Sequence, residues 1–395
     1  MRGVRILHTS DWHLGRTFGP LSLEADQVAF LAWLVDAVQE HSVDLVVIAG
    51  DIYDRAIAPT ESLVLFRDTL HRLRSAGARV VAITGNHDGA DRVSPYDSLV
   101  DASGVFIRGG YTRPGEVIRL QAADGPLDVV AVPFLEPQMA PDEFDTGDGP
   151  APAAEIGSRR QRRTHQSVLQ RAVDLARPAL SATRSLAVAH AFVAGGTESE
   201  SERQLTVGGT GQVDPSVFHG FSYVALGHLH RPQTVGSDHI RYSGTPLPYS
   251  FSETHDKSVT IIDMDATGHC EFVTLAIPVG RRVSTVTGTL DQLCSAEPSA
   301  ALAESFVRAV ITDPGVVLDA KARLVQRYPH VVEIELRPVD REVSGTATHR
   351  LAIAAMPPID AARAFWAEMT SEAPSTGEDQ LLIDALEFAQ NRTTP

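Results

Sequence analysis

Residues 44–54 read DLVVIAGDIYD, and this stretch decides the fold. Leu45 to Ala49 are apolar without a break, which fits a strand covered on both faces, since a strand with one wet face would alternate apolar and polar side chains. Gly50 ends the run. Asp51 therefore falls at the carboxyl end of the strand, where open α/β sheets collect their ligands. Taken alone, an aspartate at that point is more simply a turn former. Four other stretches repeat the design. Val4 to Leu7 leads into HTSDWHLG, with Asp11 and His13; ARVVAITGNHD, residues 78–88, delivers Asn86, His87 and Asp88 after Gly85. Residues 185–189, SLAVA, present His190, and YVAL, residues 223–226, leads through Gly227 to His228 and His230. Residues two apart in an extended segment face the same way, which pairs Asp11 with His13 and His228 with His230.

Between these strands the periodicity turns helical. Residues 22–41 carry Val28, Leu31, Leu34, Val35 and Val38 near helical spacing, with Phe30 and Trp33 as packing residues. Thr60 is placed to cap a second helix with Leu63, Phe66, Leu70 and Leu73, stopped by Gly77. Alternating strands and helices predict an α/β layered domain. Residues 141–163 interrupt it with an acidic, Pro/Gly/Ala-rich run that turns basic at Arg159, Arg160, Arg162 and Arg163, read as a surface loop whose charges are solvated. A helix follows to about Arg177, and the turn-rich run from Arg241 to Thr254 closes the domain near the strand ends. Beyond Pro278 the pattern becomes that of a small α+β domain. It has strands at 283–289, 306–312 and 331–337, and a helix from Asp319 to Arg327. Residues 343–350 form a polar join, and helices are expected at 360–369 and 378–390. The resulting division is 1–277, 278–342 and 355–395.

At 395 residues the chain exceeds one ordinary core, and 43% apolar content fills more than one. Cys270 and Cys294 show neither metal-binding nor disulfide-framework spacing, which fits reduced thiols. The N-terminal apolar run is too short for a signal peptide and no window is long enough to span a bilayer, so a cytoplasmic protein is expected. The net charge of −16 argues against binding nucleic acid by surface charge alone. It leaves a nuclease open, because divalent cations neutralise a carboxylate-rich site locally. Lys257 and Lys321 are the two lysines in the chain.

Asp11, His13, Asp51, Asn86, His190, His228 and His230 form the strand-end set. Carboxylates, an amide oxygen and imidazoles without a thiolate suit a pair of divalent first-row metals better than a calcium cage or a structural zinc. Asp51 is the natural bridge, since two carboxylate oxygens can serve two cations. His87 directly follows the ligand Asn86, where a second ligand would crowd one metal, so it is read as general acid and transition-state stabiliser.

The segments DWHLG, GDIYD, GNHD, the His190 strand and GHLH resemble the five motifs of calcineurin-like metallophosphoesterases. The wider stretches TSDWHLGR, GDIYDRA, ALGHLHRPQ and SGTPLPYSFSET resemble the SbcD nuclease family within it. The resemblance implies a four-layer sandwich of two mixed β-sheets flanked by helices, followed by a small α+β capping domain and C-terminal helices. It implies one metal on Asp11, His13, Asp51 and His230 and a second on Asp51, Asn86, His190 and His228, with manganese as the expected ion and magnesium as the alternative. It further implies exonuclease action on duplex ends and endonuclease action on hairpin or single-stranded DNA, in repair and recombination. The implied partner is an SbcC-like coiled-coil ABC ATPase gripped by the C-terminal helices, with a homodimer inside a heterotetramer. One departure stands out: where archaeal relatives carry a second histidine shortly after the bridging aspartate, this chain has Asp54 and Arg55. The rival enzyme reading is a phosphomonoesterase or small-nucleotide phosphodiesterase of the same fold. A DNA-end scaffold without catalysis is the rival from outside enzymology.

Overall fold

The computed structural model describes residues 3–93, 97–144, 163–202, 211–314, 317–338, 356–370 and 372–391. The first sheet is built on β1 (Val4–Thr9), β2 (Leu45–Ala49), β3 (Arg79–Ile83) and β4 (Val105–Arg108), which run parallel. The second contains β5 (Val117–Ala122), β6 (Gly125–Val132), β7 (Ser185–His190), β8 (Tyr223–Gly227), β9 (Gln233–Val235) and β10 (Ser237–Tyr242). The chain then returns to the first sheet with β11 (Ser258–Met264) and β12 (Cys270–Ala276), so its order is β12-β11-β1-β2-β3-β4. The order of the second is β9-β10-β8-β7-β6-β5. Both are mixed: β11 lies antiparallel to β1, while β6, β7, β8 and β10 are parallel and β5 and β9 run against their neighbours.

The unbroken apolar run of β2 is explained by its two faces. Leu45, Val47 and Ala49 point into the layer between the sheets, against Leu127, Val129, Leu186, Val188 and Tyr223. Val46 and Ile48 point outward into a cluster with Phe30, Leu34 and Phe66 of the helices α1 (Glu24–Glu40) and α2 (Thr60–Ser75). The outer face of the second sheet is covered by Val168, Leu169, Ala172 and Val173 of α3 (His165–Ala176). Two large mixed sheets flanked by helices thus stack as four layers. Burial of each such aliphatic side chain stabilises the fold by about 1.5–3 kcal/mol.

Local details differ from the sequence reading. Thr60 is the first helical residue of α2 and Pro59 occupies the cap position, with no side-chain cap bond. Proline suits this boundary because its own φ is fixed and the residue before it is held extended. Val28 of α1 is exposed although it shares the helical spacing of buried neighbours. Arg163 is not a solvated member of the basic run: it is bonded to Ala140 O and its side chain is 3% exposed. Arg159, Arg160, Arg162 and the join at 343–350 lie outside the described residues.

Residues 283–336 add a three-stranded sheet, β13 (Val283–Gly288), β14 (Phe306–Ile311) and β15 (Val331–Leu336), in that order. α4 (Leu290–Ser295) crosses between the first two, opened by a reciprocal capping box of Thr289 and Gln292, and α5 (Ala320–Val325) precedes the third. Phe306 packs with Phe18, Leu23, Leu247, Tyr249 and Phe251. Met1–Ile311 and Leu318–Glu335 form one compact unit, while Thr312–Val317 and Leu336–Pro395 form a second. Within the second, α6 (Pro358–Thr370) and α7 (Thr376–Asn391) are joined by Arg363, whose Nε and a terminal nitrogen donate to the Asp379 carboxylate at 2.6 and 2.7 Å. Among the described residues, no helix is long and apolar enough to cross a membrane.

Candidate metal centre

The parallel strands β1, β2 and β3 of one sheet and β7 and β8 of the other release their ligand-bearing residues at a shared edge. The chain turns sharply there: Asp11, His13, Asp51 and His228 all have positive φ, at 54°, 45°, 48° and 110°. Such conformations are uncommon for residues other than glycine and gather where surrounding structure enforces them. Backbone bonds enforce them here, from Asp11 N to Gly50 O at 2.9 Å and from His13 N to Asp51 O at 3.0 Å. The glycines before the ligands have a steric reason. Gly50 has φ of 93°, and a Cβ on it would lie 2.2 Å from His190 Nδ1; one on Gly85 would lie 2.1 Å from Asp51 Oδ1.

All seven strand-end residues meet at this edge. Ligand atoms of Asp11, His13 and His230 lie within 4.8 Å of one another, as do those of Asp11, Asp51 and His190. Asp51 Oδ2 stands 3.6 Å from His13 Nε2 and 3.6 Å from His190 Nε2. These gaps are too long for hydrogen bonds. They suit ligands of common ions, since atoms each about 2.1 Å from one cation can stand up to about 4.2 Å apart. Asn86 Oδ1 lies 2.9 Å from His190 Nε2 and 3.2 Å from His228 Nδ1. Asp11, His13 and His230 thus lie together, Asn86 lies beside His190 and His228, Asp51 reaches His13 and His190, and Asp11 is also grouped with Asp51 and His190. His87 sits beside them, partly exposed; its N–H donates to Asp51 Oδ1 at 2.9 Å and its Nδ1 bonds Asp54 O at 2.8 Å.

The residues present fit metal ions on independent grounds. His13 is completely buried, yet neither ring nitrogen has a hydrogen-bond partner among the described residues, and the same holds for His228 Nε2. A buried polar atom left unsatisfied costs about 1–3 kcal/mol, so several converging on one point call for a ligand. Burial lowers the affinity of His13, His228 and His190 for a proton, leaving neutral imidazoles with free lone pairs. Burial, then the Asp51 charge, raises the Asp11 pKa well above the usual carboxylate range. A cation reverses that penalty.

His190 is oriented by Nδ1 donating to Ala49 O at 2.9 Å, which leaves Nε2 for the site. Asp11 accepts Ser10 Oγ at 2.5 Å and the His228 N–H at 3.1 Å.

Several supporting residues lie outside the strand-end set read from the sequence. Asp88 accepts the N–H groups of Ile52, Tyr53 and Gly85 at 3.1, 2.8 and 2.8 Å. Its pKa is raised to about 7, by burial first and the Asp51 charge second. Glu202 accepts the His230 N–H at 2.8 Å, and Ser201 bonds the His230 ring. Glu253 and Lys257 form a buried ion pair behind Ser201. The signal available for that pair was a rare lysine four residues after a glutamate in the run that closes the domain. Asp54 reaches Arg16 at 3.2 Å and forms a further trio with His13 and His87.

Residues 4–129 match the family model described as calcineurin-like phosphoesterase. The matched span holds Asp11, His13, Asp51, Asn86 and His87, and His190, His228 and His230 lie beyond it. That span is thus similar to metal-dependent hydrolases of phosphoester bonds, and Asp11, His13 and His230, like Asp11, Asp51 and His190, are groups that could hold a divalent metal ion. The chain is also similar to a solved structure titled "GAP50 the anchor in the inner membrane complex of Plasmodium", at 8% identity over 88% of this chain and 99% of that one. The TM-score is 0.37, a level at which the likeness carries no argument.

Proposed function

We propose that this chain is a two-metal DNA nuclease of the SbcD type, cutting duplex ends, hairpins and single strands as the partner of a coiled-coil ABC ATPase. The observation that carries the reading is the convergence of buried Asp11, His13, Asp51, His190, His228 and His230 with the half-buried Asn86 at the joined strand ends, and His87 at its rim. The choice of DNA over other phosphate esters rests on the sequence resemblance around those motifs and on the added α+β sheet. Asp11, His13, Asp51 and His230 would hold one cation, and Asp51, Asn86, His190 and His228 the other, with manganese as the preferred metal. When bound, such a pair supplies the positive charge that phosphoryl transfer requires.

The protein's own contribution is placement and proton handling. Asp54 O can only accept, so His87 Nδ1 carries a proton and donates it to that carbonyl. His87 Nε2 is then the atom that can hold or release a proton at the leaving oxygen of the scissile ester. The backbone N–H of His87 donates to the bridging carboxylate of Asp51 and so fixes the main chain at this residue, while the bond to Asp54 O orients the ring.

The test is cleavage by the purified chain, with and without its ATPase partner, across manganese, magnesium and zinc. Duplex and hairpin DNA are compared with an aryl phosphate monoester. Turnover of the monoester alone would replace the nuclease reading with the phosphomonoesterase one.

A further inference from the structure

His230 is backed by a chain of hydrogen bonds whose direction can be worked out. At its far end, Lys257 is 9% exposed and its ammonium reaches three acceptors: the Glu253 carboxylate, Thr245 Oγ1 at 2.8 Å and His255 Nε2 at 3.4 Å. An ammonium has three protons and no acceptor, so each of these contacts is a donation by Lys257. Thr245 Oγ1 in turn donates to Glu253 Oε2 at 3.0 Å, and Tyr249 N donates to Glu253 Oε1 at 3.2 Å. Surrounded by donors, Glu253 acts as acceptor only.

Ser201 Oγ lies 2.5 Å from Glu253 Oε1 and 2.6 Å from His230 Nδ1. Its single proton goes to the carboxylate, and its oxygen must then accept from the imidazole. The neighbouring Ser199 Oγ, 3.0 Å from Ser201 Oγ, has its own proton committed to Glu202 Oε2 at 2.7 Å. Ser199 Oγ has lone pairs free to accept from Ser201, but sending the proton there would leave Ser201 Oγ and a carboxylate oxygen 2.5 Å apart with no proton between them, so the shorter, charge-assisted contact takes it. With the Ser201 proton on Glu253, the His230 proton lies on Nδ1 and the lone pair on Nε2.

We propose that Ser201 is a positioning residue which, with Glu253 and Lys257 behind it, locks His230 as the Nδ1–H tautomer and so turns Nε2 toward the cation shared with Asp11 and His13. The inference rests on the metal-ligand reading of His230. Outer partners of ligating histidines fix ring orientation and commonly change metal affinity by about 10- to 100-fold. Glu202, bonded to the His230 backbone N–H, fixes the main chain at the same point, so ring and backbone are held from one short segment.

The test uses the full chain, freed of metal by chelation and labelled with ¹⁵N at histidine. Long-range ¹H–¹⁵N correlation reads the His230 tautomer directly, and calorimetry with manganese reads affinity. We expect the Nδ1–H tautomer in the wild type, a roughly 10- to 100-fold loss of manganese affinity at one of two sites in Ser201→Ala, and recovery in Ser201→Thr. An Nε2–H tautomer in the wild type overturns the proposal without recourse to any variant. Wild-type manganese binding with unchanged affinity in Ser201→Ala overturns it alone, whereas a wild type that binds no manganese overturns the metal reading along with it.

Discussion

Asp88 holds the backbone of Tyr53: its Oδ1 accepts the Tyr53 N–H at 2.8 Å while Oδ2 accepts those of Ile52 and Gly85. The loops that follow β2 and β3 carry the bridge and the amide ligand, and this one carboxylate ties them together. We expect Asp88→Ala to free three N–H groups, costing about 1–3 kcal/mol of stability. Manganese affinity should fall by about tenfold or more as Asp51 and Asn86 lose their common anchor. Thermal unfolding and calorimetry on the same preparation check this. Unchanged affinity would mean the loops hold their shape without Asp88.

His87 touches the site through a backbone bond to Asp51 and is absent from both proposed ligand groups. His87→Ala should therefore retain its metal content and fold yet lose about 10²- to 10⁴-fold in rate, the range of a positioned proton donor. Metal analysis beside single-turnover DNA cleavage separates the two effects. Full turnover at saturating manganese would remove His87 from the mechanism.

His8 provides a pH prediction away from the ligands. It is fully buried, with Nδ1 accepting from Tyr223 Oη at 2.9 Å and Nε2 donating to Leu226 O at 3.1 Å. Burial lowers its pKa from the ordinary 6.5 to about 3. The folded state thus binds fewer protons than the unfolded one between those values. Stability is fully present above pH 6.5 and is lost as pH falls toward 3, by an amount on the order of 5 kcal/mol for this group. Urea unfolding from pH 7 to 4.5 should show roughly half of that loss in the wild type. In His8→Gln the slope should be shallower by up to about one proton, although the variant is less stable at neutral pH. Equal slopes would show that His8 takes up its proton in the folded state.

Much of this arrangement was legible in the sequence, for a physical reason. A strand buried on both faces must be continuously apolar, and a ligand following it must come after a turn, so Leu45–Ala49, Gly50 and Asp51 announce themselves. The same logic exposed β1, β3, β7 and β8. What stayed hidden depends on partners distant in the chain. Val28 is exposed because tertiary packing, not helical spacing, chooses the covered face. Arg163 is buried by contacts made after folding. The Ser201, Glu253 and Lys257 chain joins segments on either side of β8 and has no periodic signature.

Asp51 Oδ2 lies 3.6 Å from both His13 Nε2 and His190 Nε2, which places it between the two proposed groups, whereas His190, 2.9 Å from Asn86 Oδ1, is assigned to one of them. Asp51→Ala should therefore lose both ions, and His190→Ala mainly one, with cleavage abolished in each. Metal stoichiometry of the purified variants is the check. Two tightly bound ions in Asp51→Ala would end its assignment as the bridge.

The last expectation concerns α6 and α7. Arg363 and Asp379 pair the two helices, yet Phe365 is 64% exposed and Leu381 68% exposed. Large apolar side chains on the surface of paired helices suit a groove-binding partner. This segment belongs to the second unit, and every proposed ligand belongs to the first. Deleting residues 355–395 should leave a folded, metal-loaded chain that still cuts short DNA. It should no longer co-purify with the coiled-coil ATPase, and ATP should no longer stimulate cleavage. Phe365→Asp with Leu381→Asp should do the same without shortening the chain, because a charge placed in an apolar contact costs more than the contact supplied. Co-purification and the ATP dependence of cleavage are read side by side. A truncated chain that binds the ATPase with unchanged affinity would move the docking surface elsewhere, and one that unfolds would make the two helices part of the chain's own core.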